Sequence, residues 1–449
     1  MAEASAAQVD LVGTVLDASF PAFFRYRRVG ESVVLTNQEG GFLLVTLAEF
    51  RSFAEGSVAA GTPLWDRLRD GNFLRSDHDA ASAADCLGAR MRFLQWGPSL
   101  HSVAVVGPGG ALLPEETADA VLDLVFSSTS PSLTIEFLGG EPLANFPVVR
   151  HLVDRARERN AQVGKTLDFS LVSDLSRLDD ATLEWILSNG VRVRATAPAG
   201  LPSDATAAWL RRLTAGVEVL LNVTRESLPA ARECAEAYAE LGCSSLLLLP
   251  GPSVSTAEFL AFHRAVLDLL LERSLAGSLV FERRAAAFLA KILLGEDPGF
   301  PEVRNPAGGG TGSLAYDVDG TICTGAEGLA LRASGDDTFV LGNVVTSSYR
   351  EVVGHETVRA VVLAGNLDAR PDCVNCAYNP YCGVSPVQSH RTQGSIFGRM
   401  RDNELCAVYK GIQDDLFLRL GFEEPGIGEV LRLWAAAARV EDEENGAGS

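Results

Sequence analysis

Residues 132–143 read SLTIEFLGGEPL, an apolar stretch followed by two glycines. The first seven residues predict a β-strand, and the glycines after them predict a turn. Gly139 and Gly140 lack a Cβ atom and tolerate positive φ, so the backbone there can approach a ligand closely. Because Gly-Gly after a strand more often marks only a turn, the surrounding pattern has to decide the function of this segment.

On both sides of this stretch, short apolar strands alternate with amphipathic helices. We predict strands over 102–106, 132–138, 166–172, 191–196, 217–223 and 244–250. The helices are expected near 114–126, 146–158, 179–188, 203–214, 227–240 and 255–274. Six strands that are each followed by a helix indicate parallel βα units, in an open sheet or a partial barrel. Functional groups then belong at the carboxyl ends of the strands.

The segments on either side of this α/β region have different sequence patterns. Residues 21–45 predict an antiparallel meander, residues 47–56 and 63–74 have helical spacing, and the polar stretch 76–85 is expected to be a linker. After residue 300 a Gly- and Cys-rich region shows too little apolar periodicity for a conventional core, so a bound metal would help to order it. The expected domains are 1–80 (small α+β), 95–300 (barrel), 301–420 (Cys-rich) and 421–449 (helix and acidic tail).

Composition and charge exclude several classes of function. The chain has 449 residues, of which 47% are hydrophobic, enough for two or three domains. With 38 Lys and Arg against 58 Asp and Glu, its net charge of −20 should repel nucleic acid and anionic membranes. The first ten residues lack the features of a secretory signal, and no run approaches the ~18 apolar residues of a spanning helix. We therefore expect a cytoplasmic protein.

The strongest chemical signal is a cluster of cysteines. Of eight cysteines, Cys234 and Cys243 resemble small core residues, Cys86 stands alone, and five fall in the last third of the chain. The set Cys373, Cys376, Cys382 and Cys406 can supply four thiolates to one metal centre. Such a set suits a 4Fe-4S cluster, and tetrahedral zinc is the alternative that spacing leaves open.

The chain resembles the radical S-adenosylmethionine (radical SAM) peptide maturases that carry a SPASM domain, and most closely the maturases of the His-Xaa-Ser peptide system. The resemblance rests on residues 24–50, 97–101, 133–146, 313–320, 339–344, 373–387 and 393–398. It implies an α/β fold, a partial (β/α)6 barrel followed by auxiliary-cluster modules. It also implies that Gly139, Gly140, Glu141 and Pro142 correspond to the motif that helps to hold S-adenosylmethionine, and that the four cysteines correspond to the ligands of the second auxiliary cluster.

The departures from this family concern its catalytic centre. Members place C-x3-C-x2-C after the first barrel strand, whereas residues 107–114 of this chain contain no cysteine. Without that cluster no electron reaches S-adenosylmethionine to form a 5′-deoxyadenosyl radical. Residues 195–200 and 249–252 lack the polar groups that the family has at the barrel mouth. Cys323 remains from the first auxiliary cluster, but Ser347 and Pro386 stand where the SPASM pattern has cysteine.

These features give three hypotheses for the function. The first is a catalytically degenerate maturase-like protein that recognises a precursor peptide or an active maturase subunit. The second is an active maturase that uses the remaining cluster or one supplied by a partner. The third is a zinc-stabilised binding protein. The N-terminal segment is expected either to dock a peptide along a strand edge or to cap the barrel.

Overall fold

The computed structural model describes residues 21–197, 200–213, 216–297, 299–421 and 426–443. The N-terminal residues 1–20, the positions Pro198 and Ala199 of the barrel-mouth stretch, and the end of the acidic tail lie outside the described residues. No helix within the described part of the chain is long and apolar enough to cross a bilayer.

The N-terminal module is a three-stranded antiparallel sheet with helices on one face. Its strands are β1 (Arg25–Val29), β2 (Ser32–Thr36) and β3 (Phe42–Thr46), followed by helices Leu47–Ala54 and Pro63–Asp70. The predicted meander and both helical segments are confirmed. The linker expected at 76–85 is wrong, because residues Ala80–Arg90 form a helix. Asp79 caps that helix by accepting hydrogen bonds from the backbone of Ala81 and Ser82, and alanine favours the helix that follows.

The central sheet contains the six predicted strands in sequential order. They are β4 (Leu100–Val106), β5 (Ser132–Gly139), β6 (Thr166–Ser173), β7 (Arg192–Ala197), β8 (Glu218–Val223) and β9 (Ser245–Pro250), and a short parallel strand, β10 (Phe281–Glu282), follows β9. The connecting helices are Glu115–Phe126, Phe146–Val163, Asp180–Ser188, Asp204–Arg212, Ala231–Glu240 and Thr256–Leu275. Since every crossover advances by one strand in the same direction, right-handed connections place all helices on one face. The sheet is therefore wound as a partial barrel, as predicted.

The C-terminal third continues this sheet instead of forming a separate one. Strand β11 (Ser313–Tyr316) pairs in parallel with β4, and β12 (Thr321–Cys323) and β13 (Val340–Asn343) extend the same edge antiparallel. Leu314, Tyr316 and Ile322 are fully buried in the main core. The expectation that this segment is too poor in apolar residues to pack a conventional core is therefore wrong for β11 and β12.

Further α-helices, of 4 to 17 residues, lie before, within and after the cysteine-rich segment. Their bounds are Arg283–Leu289, Ala326–Ala333, Tyr349–Val353, Glu356–Gly365, Pro371–Val374, Pro386–Gln393, Glu404–Leu420 and Ile427–Glu443. The expected C-terminal helix is thus present. Trp434 anchors it by burying its ring and donating from Nε1 to Ser274 Oγ at 3.1 Å.

Candidate functional site

The predicted Gly139–Pro142 turn lies at the carboxyl end of β5. Gly139 has φ +122°, and a Cβ atom there would lie 2.1 Å from the carbonyl oxygen of Val106 at the end of β4. The backbone N–H of Gly140 donates to that same oxygen at 2.9 Å. Glycine is therefore required by the close approach of the neighbouring strand.

Glu141 ties this turn to the next strand. Its carboxylate accepts hydrogen bonds from Leu143 N at 3.0 Å, Ser173 Oγ at 2.8 Å and Asp174 N at 2.9 Å. Burial raises the pKa of Glu141 above its ordinary value. The four predicted residues are thus together at the carboxyl edge of the sheet, where Glu141 joins the ends of β5 and β6.

The loop after β4 closes on itself. Gly107 N donates to Ala111 O at 2.7 Å, and Leu113 N donates back to Val105 O at 3.1 Å. Asn145 fixes both arms, because its Nδ2 donates to Val105 O and Leu113 O at 3.0 and 3.1 Å. This loop, which contains no cysteine, is stabilised by its own backbone and by Asn145.

The four late cysteines line one small cavity of about 30 Å³. Cys373 lies in the short helix Pro371–Val374, and Cys376 N donates to the carbonyl oxygen of Cys373 at 3.0 Å. Cys382 N donates to Tyr378 O at 3.0 Å, and Cys406 N donates to the capping Asn403 Oδ1 at 3.0 Å. Two tight turns and one helix start therefore bring Cys373, Cys376, Cys382 and Cys406 around the same space, although their sequence positions span 34 residues.

Burial disfavours the thiolate form of three of these cysteines. It raises the pKa of Cys373 to about 12, and it also raises the pKa of Cys382 and Cys406. Thiolate ligands would therefore need a positive centre beside them. Among the described residues, no group of three or more His, Cys, Asp or Glu side chains converges closely enough for a single metal ion.

The N-terminal sheet packs on the segment between these cysteines. Arg25 Nε donates to Val374 O at 2.7 Å, Thr36 Oγ1 to Ala377 O at 2.7 Å, and Tyr381 OH to Gly40 O at 3.0 Å. No local sequence pattern encodes these contacts, because they join residues more than 300 positions apart. The alternation in β1, where Arg25 and Arg27 share one face, is the signal that could have indicated a charged docking surface.

The remaining predicted positions lie in packed or locally bonded sites. Cys323 is fully buried between Ala104, Ala315 and Leu329. Ser347 Oγ accepts from Asn343 N at 3.2 Å, and Pro386 opens the helix Pro386–Gln393. Cys234 and Cys243 are buried core residues, as expected, whereas Cys86 is exposed.

The barrel interior contains a layer of polar side chains that the hydrophobic pattern alone does not predict. Arg194 donates to Glu136 at 2.6 Å and to Glu218 at 2.7 Å, and Ser102 Oγ donates to Glu136 at 2.9 Å. These side chains line a cavity of about 790 Å³ toward the amino-terminal ends of the strands, opposite the Gly139 turn. The signal was present, since polar and apolar residues alternate in SLTIEFL and VRVRAT, as in strands with one polar face.

Comparisons with known proteins place the fold. No family model matches the chain, and no curated protein matches it. The solved structure of anSMEcpe with bound AdoMet and Kp18Cys peptide aligns with a TM-score of 0.60 and 16% identity, over 75% of this chain and 100% of that one. A second anSMEcpe structure, with bound AdoMet, aligns with a TM-score of 0.59 and 16% identity, over 72% and 98%.

A third structure, SuiB of Streptococcus suis bound to S-adenosylmethionine, aligns over 84% of this chain and 98% of that one at 11% identity. Its TM-score of 0.48 is too low to carry weight. At 16% identity the anSMEcpe likeness concerns the fold alone. The expected fold class is thereby confirmed: the chain has an α/β partial-barrel fold similar to that of anSMEcpe.

Proposed function

We propose that this protein is a catalytically degenerate radical SAM maturase-like subunit, which recognises a precursor peptide and does not itself cleave S-adenosylmethionine. The observation that carries this proposal is the loop at 107–113. It is held by its own hydrogen bonds, and it contains no thiol at the place where the resemblance puts three cluster ligands. Because this loop contains no cysteine and its backbone groups hydrogen-bond to one another, it offers no ligand for iron.

The four cysteines do not replace the missing site. If Cys373, Cys376, Cys382 and Cys406 each ligate one iron of a cubane, no iron keeps an open position. S-adenosylmethionine needs such a position to receive an electron at its sulfonium. The remaining cluster therefore has a structural or electron-relay role in this proposal, and Gly139–Pro142 serves mainly to pack the ends of β4, β5 and β6.

A 4Fe-4S cluster is the cofactor that the four cysteines favour. Supporting this are the single cavity that all four line and the raised pKa of buried thiols, which only a strongly positive centre would overcome. Zinc requires a tighter tetrahedral set, with each sulfur about 2.3 Å from the ion. Metal analysis that finds zinc without sulfide would favour the zinc-stabilised alternative instead.

A peptide is the partner that we propose for the barrel. The structural neighbour anSMEcpe was solved with a peptide bound. In this chain the interior cavity of about 790 Å³ lies within the usual size range of ligand pockets, and it presents both carboxylates and a guanidinium. The bound peptide would then be presented to an active maturase subunit.

The test compares this protein with an active radical SAM maturase under identical anaerobic conditions. After reconstitution with iron and sulfide, both are reduced with dithionite and 5′-deoxyadenosine is quantified. We expect none above the protein-free control from this chain, and binding of a synthetic peptide of His-Xaa-Ser repeats but not of its scrambled version. Cleavage that disappears in Cys376→Ala would contradict the proposal and establish the active-maturase alternative.

A further inference from the structure

One arginine connects the N-terminal sheet to the cysteine cavity. Arg25 belongs to β1 but is only 3% exposed, because its side chain enters the C-terminal region. Its Nε donates to the carbonyl oxygen of Val374, within the Cys373–Cys376 turn, at 2.7 Å. Its Nη2 lies 3.5 Å from Asp368, whose side chain is 62% exposed. The charge of Arg25 is therefore buried beside a thiol turn and only weakly compensated.

Two guanidinium nitrogens near this cavity lack an acceptor. Nη1 of Arg25 and Nη2 of Arg370 are both buried without a hydrogen-bond partner among the residues that the structure describes. Arg370 is 4% exposed and lies three positions before Cys373. A buried unpaired N–H on a charged group is unfavourable, so each of these arginines would be stabilised by an anionic group nearby.

Cations also lie beside the thiols. Lys410 lines the cavity, and Lys291 donates to Cys382 O at 3.2 Å. Arg27 already has a partner, because it pairs with Asp414 at 2.6 Å. An anionic group in the cavity would stabilise the remaining positive charge. A cubane with four thiolates has a net negative charge, which grows by one on reduction.

We propose that Arg25 compensates the charge of the bound cluster, so that docking of the N-terminal sheet and the reduction potential of the cluster depend on each other. This inference rests on the proposed cluster at the four cysteines. A cation stabilises the more negative, reduced cluster and so raises its potential. Because Arg25 belongs to β1, any partner that displaces the sheet would lower the potential.

The test is a redox titration of the reconstituted full-length protein, followed by visible and EPR spectroscopy. Arg25→Gln is compared with Arg28→Gln, a matched loss of one positive charge on the same strand, where the side chain is 61% exposed. We expect Arg25→Gln to make one-electron reduction about tenfold less favourable, a downward shift of about 59 mV. Arg28→Gln should change the equilibrium less than threefold, because solvent screens it.

A second measurement uses the unmodified protein and therefore does not depend on the stability of a variant. Residues 25–46 should exchange backbone hydrogens at least tenfold more slowly in the cluster-loaded form than after removal of the cluster by chelation. Equal potentials for both variants and the parent, or equal exchange with and without the cluster, would overturn the role of Arg25 while leaving the cluster in place. A parent protein that retains no iron and sulfide would instead refute the proposed cluster, and the role of Arg25 with it.

Discussion

The resemblance implies an iron site both in the loop after β4 and in the segment 373–406. The two regions differ in whether their polar groups find hydrogen-bond partners within the protein. In the loop, backbone groups bond to one another and Asn145 completes the set. In the second region, four thiols share a cavity, and two buried arginines have nitrogens without acceptors among the described residues. The first region is thus held by its own hydrogen bonds, whereas in our proposal the second binds an anionic cluster.

The difference between the two regions is confined to short segments. Beside the loop, β4 and β5 stay paired up to Val106 and Gly139, with a register shift between Ala104 and Val106, and Gly139 accommodates the close approach of the Val106 carbonyl oxygen. In our proposal, the loop after β4 holds no ligand of a catalytic cluster while the barrel stays folded. The loop would then be stabilised by packing and its own hydrogen bonds, and the cysteine region by its bound cluster.

The largest effect should come from removing a thiol. Cys376→Ala is expected to reduce bound iron at least tenfold and to destabilise residues 300–420 while the barrel stays folded, because the ligand set is then incomplete. Iron analysis and limited proteolysis measure both effects. Cys86→Ala is the matched control, since Cys86 is exposed and outside the cavity. Unchanged proteolysis of the C-terminal region in Cys376→Ala would contradict the distinction between the two regions.

The second prediction concerns the packing of the loop region. Gly139→Ala should lower the free energy of unfolding by about 4 kcal/mol, since it adds a clash to backbone strain. Gly200→Ala has nearly the same φ, +119°, with no described atom within 4 Å of the added Cβ, so it should cost about 1 kcal/mol. Urea denaturation of both variants gives the comparison. Similar losses would mean that the close approach of Val106 is unimportant.

The third prediction concerns the pH dependence of stability, through a buried histidine on β4, the strand that leads into the loop. Burial lowers the pKa of His101 to about 4, where its Nε2–H donates to Pro98 O and its Nδ1 accepts from Tyr316 OH. The unfolded chain binds a proton near pH 6.5 and the folded chain does not. Stability should therefore fall by roughly 3 kcal/mol between pH 7 and pH 4 through this residue.

The measurement is the pH dependence of the urea midpoint for the parent and His101→Asn, which cannot titrate. The variant should have the flatter profile, and His151→Asn, altered at a partly exposed histidine, should follow the parent. If the parent and His101→Asn had parallel profiles, protonation of His101 would not lower the free energy of unfolding, and the prediction would be contradicted.

The smallest effect is expected in the barrel interior. Arg194→Gln leaves Glu136 and Glu218 without their shared cation and should cost about 2 kcal/mol, less than a fully buried pair because its side chain is 27% exposed to the cavity. Arg212→Gln, which breaks a surface pair with Asp180, should cost below about 0.5 kcal/mol. Thermal or urea unfolding separates the two, and equal costs would mean that the polar layer is fully solvated.

Local patterns in the sequence predict the barrel well and the contacts between distant segments poorly. The six strands and their helices follow from hydrophobic alternation, which each segment carries by itself. The pairing of β11 with β4 joins residues more than 200 positions apart, and no local pattern encodes it. The contact of Arg25 with Val374 joins residues that are even farther apart, by 349 positions. By contrast, the helix Ala80–Arg90 could have been predicted from its capping Asp79 and its alanines.

The candidate sites divide in the same way. Spacing identifies the four cysteines as one ligand set, and the structure brings them around one cavity. The motif Gly139–Pro142 is found by its glycines, but its partners on β4 and β6 become visible only in the fold. The polar layer of Glu136, Arg194 and Glu218 can be predicted only when the polar positions of the strands are considered as well as the apolar ones.

The central claim is that one site for iron survives and the other is closed. The most direct measurement is the iron and sulfide content of anaerobically reconstituted protein, combined with the EPR spectrum of the reduced cluster before and after S-adenosylmethionine is added. We predict about four irons per chain and an unchanged spectrum, as for a cubane with four thiolates and no open iron. About eight irons, or a spectrum that S-adenosylmethionine alters, would show that a second or open cluster exists and would contradict the account.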